Sequence, residues 1–470
     1  MSSAASSPSL VHLPRGLTLR SAVALNMIDM IGVGPFITIP LMVQAMGGPQ
    51  AMLGWMVGAV WILCDGLIWA ELGAALPGEG GTYHYLSEIF GRERWGKLFS
   101  FLYVWQTLFS APLLIASGCI GLALYAAFLW PGLDRPIFAL NAHVTFSHAT
   151  LVAMGSCLLA LWLAYRQIRW VARVSQWLWW GVLATMGWVI WAGLGHFQAR
   201  VAFNFPAHAF TPNASFFAGL GAALIVASYD YSGYESANLM AGEVVRPERT
   251  LPRAIVISIV LVGVLYTVMN VSVLAVVPWR TMLPGGAAES QVIAVFMQRI
   301  YGTGAARVAT WLILWAAFAS VFSLLLGYSR VIFAAAEDGN FFGGFARLHP
   351  RHGFPYAALL AVGLVSAAFC LFRLDDVIAA LVVIRVLLQY LLQAAALVAL
   401  RARRPEPPRP YRMWLYPAPV IVAVAGFVFV LVAPPGAMRE LAYAGAILAV
   451  GVGVFAARAR RRREWPFAAA

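Results

Sequence analysis

The sequence predicts an all-α membrane protein with twelve transmembrane helices. Of its 470 residues, 61% are hydrophobic and only 11% are charged, whereas a soluble domain carries about 25% charged residues. Apolar stretches of about 20 residues, the length that a helix needs to cross a bilayer, recur along the chain, and short polar gaps separate them. We therefore expect one helical bundle in the membrane and no separate soluble domain.

The positions of the apolar stretches and of the basic residues agree on the topology. If the N-terminus faces the cytoplasm, 24 of the 32 Lys and Arg residues lie in the inner gaps or at the adjoining span ends, seven lie in the outer gaps or at the adjoining span ends, and one, Arg385, lies deep within a span. Inner loops of membrane proteins carry such an excess of basic residues. We expect both termini in the cytoplasm and a location in the plasma (inner) membrane. The twelve predicted spans are 20–46, 51–75, 98–128, 148–165, 173–196, 214–241, 254–277, 303–335, 354–372, 375–400, 416–433 and 438–457.

Composition also excludes several classes of protein. The basic residues that give the net charge of +13 are distributed among the gaps between spans and do not form one patch, so we expect no nucleic acid as a partner. The four cysteines lie inside apolar runs without a CxxC pair, which argues against disulfides and against a metal site. We find no cluster of a nucleophile with a base in the spans. We therefore predict that the protein is not an enzyme, and we assign no catalytic, cofactor-binding or metal-binding residue and no cofactor.

Two of the predicted spans are interrupted. Span 1 contains "GVGPF" at Gly32 to Phe36, and span 6 contains "SYDYSGY" at Ser228 to Tyr234. Each is the first helix of a five-helix half, and paired interruptions at matching positions indicate an inverted-repeat transporter with its site near the membrane midplane. Irregular backbone at that depth is tolerated only where it lines a cavity or is buried in protein.

This repeat sets the expected organisation of the chain. We predict a cytoplasmic tail over 1–19, a first five-helix repeat over 20–200, a second, inverted repeat over 201–400, a cytoplasmic connection with helices 11 and 12 over 401–457, and a basic tail over 458–470.

The break in span 1 offers hydrogen-bond donors to an anion. Where the helix resumes near Phe36, free N–H groups and the positive end of a half-helix dipole favour a carboxylate. Pro35 suits the first helical position, and it leaves the N–H groups of Gly32, Val33, Gly34 and Phe36 as candidates. Carbonyl groups before Gly32 and near Ser228 can accept bonds from an ammonium group. An α-amino acid matches both ends of this arrangement.

Several motifs in the expected order carry a resemblance to a known family. They are "GVGPF", "WAELGAALPGEGGTYHYLSEIFG" (69–91), "YSGYESANLMAGEVVRPERTLPRAI" (231–255), "YSRVIFAAAEDGNF" (328–341) and "RPYRMWLYP" (409–417). The chain thereby resembles the amino acid–polyamine–organocation superfamily over nearly its whole length. The resemblance implies the leucine-transporter fold, with discontinuous helices 1 and 6 and two extra C-terminal helices.

The resemblance also implies a set of site residues. Tyr229 matches a position that often carries an aromatic ring over the substrate, Tyr103 matches a gate tyrosine of the arginine exchangers, and Glu235 matches a gating or proton-sensitive glutamate. The implied substrate-binding residues are Gly32, Val33, Gly34, Tyr103, Ser228, Tyr229, Ser232 and Gly233.

The charged residues within the spans depart from the family pattern. Many proton-coupled members carry a lysine in helix 5, near Leu183 here, and this chain has none. Asp29 lies about one turn before the first break, so we assign it, with Glu235, to coupling or gating. Asp65 and Asp230 add carboxylates, and Arg385 adds a cation in span 10. Glu71 lies near the inner end of span 2, where we expect solvation and hydrogen bonding to a helix end.

The carboxylate excess leaves two interpretations open, a cationic substrate or carboxylates that are protonated during the cycle. We predict a secondary active transporter for amino acids that is proton-coupled or exchanging. It works by alternating access, in which spans 1, 2, 6 and 7 move against spans 3, 4, 5 and 8. The alternatives are a polyamine or other organic-cation transporter and a non-transporting nutrient receptor. The expected partners are a small-molecule substrate, protons and membrane lipids.

Overall fold

A computed structural model of the chain describes residues 16–78, 80–133, 135–139, 145–166, 171–351, 353–403 and 410–467. Helices dominate these residues, and a short antiparallel hairpin of strands Pro136–Ala139 (β1) and Thr145–Ser147 (β2) lies between two of the helices. The all-α membrane fold predicted from the sequence is confirmed. The helices are α1 Leu19–Met30, α2 Gly34–Met46, α3 Met52–Ala75, α4 Thr82–Phe90, α5 Gly96–Leu129, α6 His148–Tyr165, α7 Val171–Gly195, α8 Ala199–Ala202, α9 Ala214–Tyr231, α10 Ser236–Leu239, α11 Pro247–Leu274, α12 Val292–Tyr301, α13 Thr303–Glu337, α14 Tyr356–Phe369, α15 Leu374–Arg385, α16 Leu391–Arg403, α17 Ala418–Val432 and α18 Ala437–Arg462.

Each of the twelve predicted spans coincides with a helix or a helix pair. In the part of the chain that the structure describes, eight helical segments are long and apolar enough to cross a membrane, and α1 with α2 adds a ninth as a bent pair. The predicted spans 5, 9 and 11 coincide with shorter apolar helices, Trp180–Gly195 within α7, α14 and α17. The count of twelve and the repeat boundaries at 200, 400 and 457 therefore stay predictions.

Both predicted breaks are present. The axes of α1 and α2 differ by 50°, and residues 31–33 between them are not helical. Pro35 stands in the first turn of α2, where its missing N–H group costs no helical hydrogen bond. In span 6 the predicted break begins at Ser228, but α9 continues to Tyr231, so the break itself begins at Ser232, where the chain becomes extended. Gly233 then has a φ of +114°, which only glycine adopts without strain.

The helices pack in two groups. In the first, α3 and α1 lie along α11, while α2 and α3 pack against α9. In the second, α5 lies along α13 and α6, and α13 also packs against α7. Since α7 also packs against α11, the two groups are in contact, and the assignment of these spans to alternating access stays a prediction. One hydrophobic core of buried side chains continues through both groups.

Glu71 at the end of α3 differs from the expectation of a solvated carboxylate. Its side chain is fully buried. The Arg401 guanidinium donates to both of its oxygens at 2.9 and 2.5 Å, and the N–H of Met413 donates to one of them at 2.9 Å. The expected solvation is wrong because Arg401 and the described segment around Met413 cover this helix end. Burial and the nearby Glu71 carboxylate raise the pKa of Tyr411 to about 12.

Candidate binding site at the two helix breaks

The two breaks touch each other. A side chain at Gly34 would come within 2.8 Å of Asp230 Oδ1 and 3.3 Å of Tyr229 Cε1. A side chain at Gly233 would come within 2.7 Å of the Asp29 carbonyl carbon. Close backbone approach between spans separated by about 200 residues of sequence thus depends on glycine at both positions. The structure brings the two halves of the predicted site together.

The first break exposes backbone donors. The N–H groups of Gly32 and Val33 donate no backbone hydrogen bond in the described part of the chain, and they precede the N-terminus of α2. The N–H of Phe36, in contrast, donates to the Val33 carbonyl at 3.1 Å. The expectation that Phe36 is a free donor is therefore wrong, because the first turn of α2 already uses it. Three of the predicted donors, the N–H groups of Gly32, Val33 and Gly34, therefore donate no backbone hydrogen bond in the described part of the chain.

Tyr266 of α11 joins the carbonyl ends of the two broken helices. Its hydroxyl lies 2.6 Å from the carbonyl oxygen of Met30 and 3.2 Å from that of Asp230. The side chain is fully buried. The hydroxyl of Ser232 donates to the Ser228 carbonyl at 2.8 Å, so that carbonyl keeps one lone pair for a further donor. Part of the acceptor set predicted for an ammonium group is thus already bound by protein hydroxyls.

Tyr229 extends from the second break to the other group of helices. Its hydroxyl lies 2.9 Å from Ser117 Oγ of α5, and its ring lies against Gly34. The side chain is only 6% exposed. Tyr229 therefore lies across the first break, and its role as a cover over the substrate stays a prediction. It also connects a helix of the first packing group to one of the second.

Two of the extra carboxylates have partners within the protein. Asp230 is buried and accepts bonds from the Thr38 hydroxyl at 2.7 Å and the Trp55 indole N–H at 3.2 Å. Asp65 is buried and accepts a bond from the Tyr234 hydroxyl. Each keeps one oxygen without a hydrogen bond among the described residues. These bonds favour a structural role for both aspartates.

Glu235 and Tyr103 line a narrow cavity next to the second break. The cavity has room for about one water molecule. Glu235 accepts a bond from the N–H of Gly233 at 3.1 Å, which fixes it beside the break. Asp29 is half-buried and packs against Gly233, two residues before Glu235. Around the same cavity lie Gln106, Thr107, Ser110, Leu239, Tyr328, Arg385 and Gln389.

A larger cavity of about 260 Å³ lies beyond the first break, toward the end of α5. Ile37 and Leu41 of α2 form one wall, and Ile120 of α5 forms another. Glu289 and Asp375 lie at its polar rim. Ile37 is one helical turn from Gly34, so this cavity ends close to the Tyr229 ring.

The structure adds site residues that sequence reasoning missed. Tyr266 and Ser117 bond to the breaks, and Ser320 Oγ lies 3.1 Å from where a Gly32 side chain would begin. Each is a lone polar residue in an apolar run, and many such residues occur in the spans. No local signal separates these three from the others, because their partners lie in distant helices.

Comparison with known proteins then assigns the family. The sequence profile described as amino acid permease matches residues 17–456. The chain belongs to the amino acid permease family. It is thereby a member of the amino acid–polyamine–organocation superfamily and an integral membrane protein, as the sequence motifs imply. The matched residues of this permease include both helix breaks and reach from α1 into α18.

Several characterised and uncharacterised proteins are similar to this permease. Human Asc-type amino acid transporter 1 is 28% identical over 89% of this chain and 76% of its own length. Human cationic amino acid transporter 4 is 27% identical over 84% of this chain and 61% of its own length. An uncharacterized transporter of Mycobacterium tuberculosis is 28% identical over 96% of this chain and 94% of its own length.

Proposed function

We propose that this permease carries amino acids across the plasma membrane by alternating access, with the substrate bound between the two helix breaks. The observation that carries the proposal is the direct contact of the breaks, where Gly34 meets Tyr229 and Gly233 meets the end of α1. Irregular backbone buried at membrane depth is what a midplane substrate site requires. The family assignment and the relatives named as amino acid transporters support the same function.

Each end of an amino acid has a complementary group at the breaks. The substrate carboxylate accepts bonds from the N–H groups of Gly32 and Val33, and the dipole of α2 adds to its stabilisation. The substrate ammonium group donates to carbonyls at the ends of α1 and α9, including the free lone pair at Ser228. Tyr229 covers the bound substrate on the side of the larger cavity.

Movement of the first packing group against the second opens the site to one side at a time. The cavity walled by Ile37 and Ile120 is the outer approach, and the Tyr229–Ser117 hydrogen bond closes it from the substrate. That bond joins α9 to α5, so it breaks when the groups separate. One hydrogen bond contributes about 1 kcal/mol, which permits rapid opening.

Asp29 and Glu235 are the proposed coupling groups. Both lie beside the second break, where Gly233 packs against Asp29 and donates its N–H to Glu235, and Glu235 also lines the narrow cavity. At either carboxylate, binding of a proton or of a cationic group of the substrate changes the net charge of the site. This proximity also favours a second candidate function, transport of a polyamine or another organic cation by the same site.

Uptake into proteoliposomes tests these functions. Labelled neutral amino acids, basic amino acids and polyamines are offered with and without an inward proton gradient. We expect uptake of amino acids, and we expect Asp29→Asn to reduce it. Uptake of polyamines alone would select the second candidate. If folded protein takes up none of these compounds, the transport proposal is wrong. If the uptake rate does not depend on the proton gradient, Asp29 and Glu235 have no role in proton coupling.

A further inference from the structure

Arg385 is a buried cation within span 10. It is the last residue of α15, its side chain is 4% exposed, and one widened helical turn at Val386–Tyr390 follows it. Such widened turns in membrane and soluble helices are frequent at functional sites. A charged group at membrane depth is retained where it faces a cavity or a partner, because burial in lipid is costly.

The contacts of Arg385 leave part of its charge uncompensated. Its Nη2 donates to the Tyr328 hydroxyl at 2.5 Å, and the guanidinium lies 5.9 Å from the Tyr328 ring centre. Its Nε is buried and has no hydrogen-bond partner among the described residues. Within that part of the chain, no carboxylate forms an ion pair with it.

The charged group that shares a cavity with Arg385 is Glu235. Both side chains line the narrow cavity beside the second break, and Tyr103 and Tyr328 line it as well. Asp29 lies beside the same break, because Gly233 packs against it. Asp65 and Asp230 do not line this cavity, and each has hydroxyl or indole donors of its own. Among the described residues that line this cavity, Arg385 is therefore the only cation.

We propose that Arg385 sets the charge selectivity of the transport site, so that the site favours amino acids of zero net charge over cationic ones. The inference rests on the proposed transport function. The guanidinium offsets the Glu235 carboxylate, and it repels a positively charged substrate side chain that enters between the breaks. The carboxylate excess in the sequence favours cations, whereas the arrangement of charges around this cavity favours neutral substrates.

Coulomb's law sets the expected size of the effect. For a separation on the order of 10 Å and an effective dielectric constant of about 20, one fixed charge changes the affinity for a cationic substrate by about tenfold. Arg385→Gln removes the charge and keeps an amide donor for Tyr328. We expect its ratio of neutral to cationic amino acid kcat/KM to fall by about tenfold.

Three variants control the experiment in the same proteoliposomes. Arg385→Lys keeps the charge and should keep the wild-type ratio. Tyr328→Phe removes the hydroxyl partner without removing the charge and should change the ratio by less than Arg385→Gln. Arg200→Gln removes the charge of an exposed side chain in α8 and should leave the ratio unchanged.

The outcomes separate the inference from the transport proposal. Absence of uptake by folded wild-type protein overturns the transport proposal itself. If the wild type transports amino acids, an unchanged ratio in Arg385→Gln or an equal change in Arg385→Lys overturns the role of Arg385. If Arg385→Gln does not fold, competition between amino acids for uptake by the wild-type protein tests the inference instead. Equal inhibition of neutral uptake by cationic and neutral amino acids contradicts the inference.

Discussion

At the scale of single residues, Gly34 shows how the site depends on the absence of a side chain. We expect Gly34→Ala to reduce the uptake rate by at least about tenfold, because its new methyl group would meet Asp230 Oδ1 at 2.8 Å and the Tyr229 ring at 3.3 Å. A misplacement on the order of 1 Å at a site can cost about 100-fold in rate. Uptake kinetics at equal amounts of folded protein measure the change.

A matched glycine serves as the control. Gly155 lies in α6, and a methyl group there would have no atom within 4 Å. Gly155→Ala should keep wild-type uptake and should raise helix propensity slightly. Equal effects of the two substitutions would show that the contact of the breaks does not govern transport.

At the scale of secondary-structure elements, the hydrogen bond from Tyr229 to Ser117 links α9 to α5. The two oxygens are 2.9 Å apart and both side chains are buried. Like the bond from the Tyr125 hydroxyl of α5 to the Phe36 carbonyl at 2.6 Å, it crosses from one packing group to the other beside the first break. Its contribution can be isolated, because each partner can lose its hydroxyl with little change of shape.

A double-mutant cycle tests this link. We expect Tyr229→Phe and Ser117→Ala each to change kcat/KM by about fivefold, since one hydrogen bond is worth about 1 kcal/mol. The double variant should be no worse than either single variant, because both remove the same bond. Additive effects would mean that the two hydroxyls act separately and that this bond is not the outer closure.

At the scale of the whole molecule, the buried ion pair of Glu71 with Arg401 fixes α16 and the segment around Met413 to the end of α3. Arg401→Ala should lower the free energy of unfolding by about 3 kcal/mol, because removing one partner of a buried pair is strongly destabilising. The shift of the thermal unfolding temperature in detergent measures it.

An exposed ion pair gives the contrast to this one. Arg373 and Asp375 are 59% and 52% exposed, and exposed pairs contribute about 0–1 kcal/mol. Arg373→Ala should therefore shift the unfolding temperature little. Comparable shifts for the two variants would rule out Arg401 as a structural anchor.

Topology also belongs to the whole molecule. In a variant without the four native cysteines, single cysteines should react with an impermeant thiol reagent from alternating sides of the membrane. With twelve spans and cytoplasmic termini, cysteines at the inner positions given below react from the cytoplasmic side, and cysteines at the outer positions react from the opposite side. Labelling of both sets from the same side would contradict the twelve-span topology. The inner positions are Arg92, Arg249 and Arg461, and the outer positions are Arg200 and Arg299.

The sequence predicted the architecture better than the smaller elements. The membrane helices and both breaks were predictable, because transfer of about 20 apolar residues into lipid is a local property of the chain. Helices α4 and α12 in the gaps between spans were not predicted. Each is short and amphipathic, so a window of membrane length averages its apolar face with polar residues.

By itself, the sequence determined where the chain enters the membrane and where its helices must break. Pro35 fixes its own φ, and Gly233 permits a φ of +114° that other residues avoid, whatever surrounds them. Tertiary structure alone decided which polar groups meet there. It placed the Tyr266 hydroxyl on both helix ends and the Arg385 guanidinium in the same cavity as Glu235. Partners so far apart in sequence are selected by helix packing, and the physical reason is that a buried polar group is stabilised only by the groups that packing brings within reach.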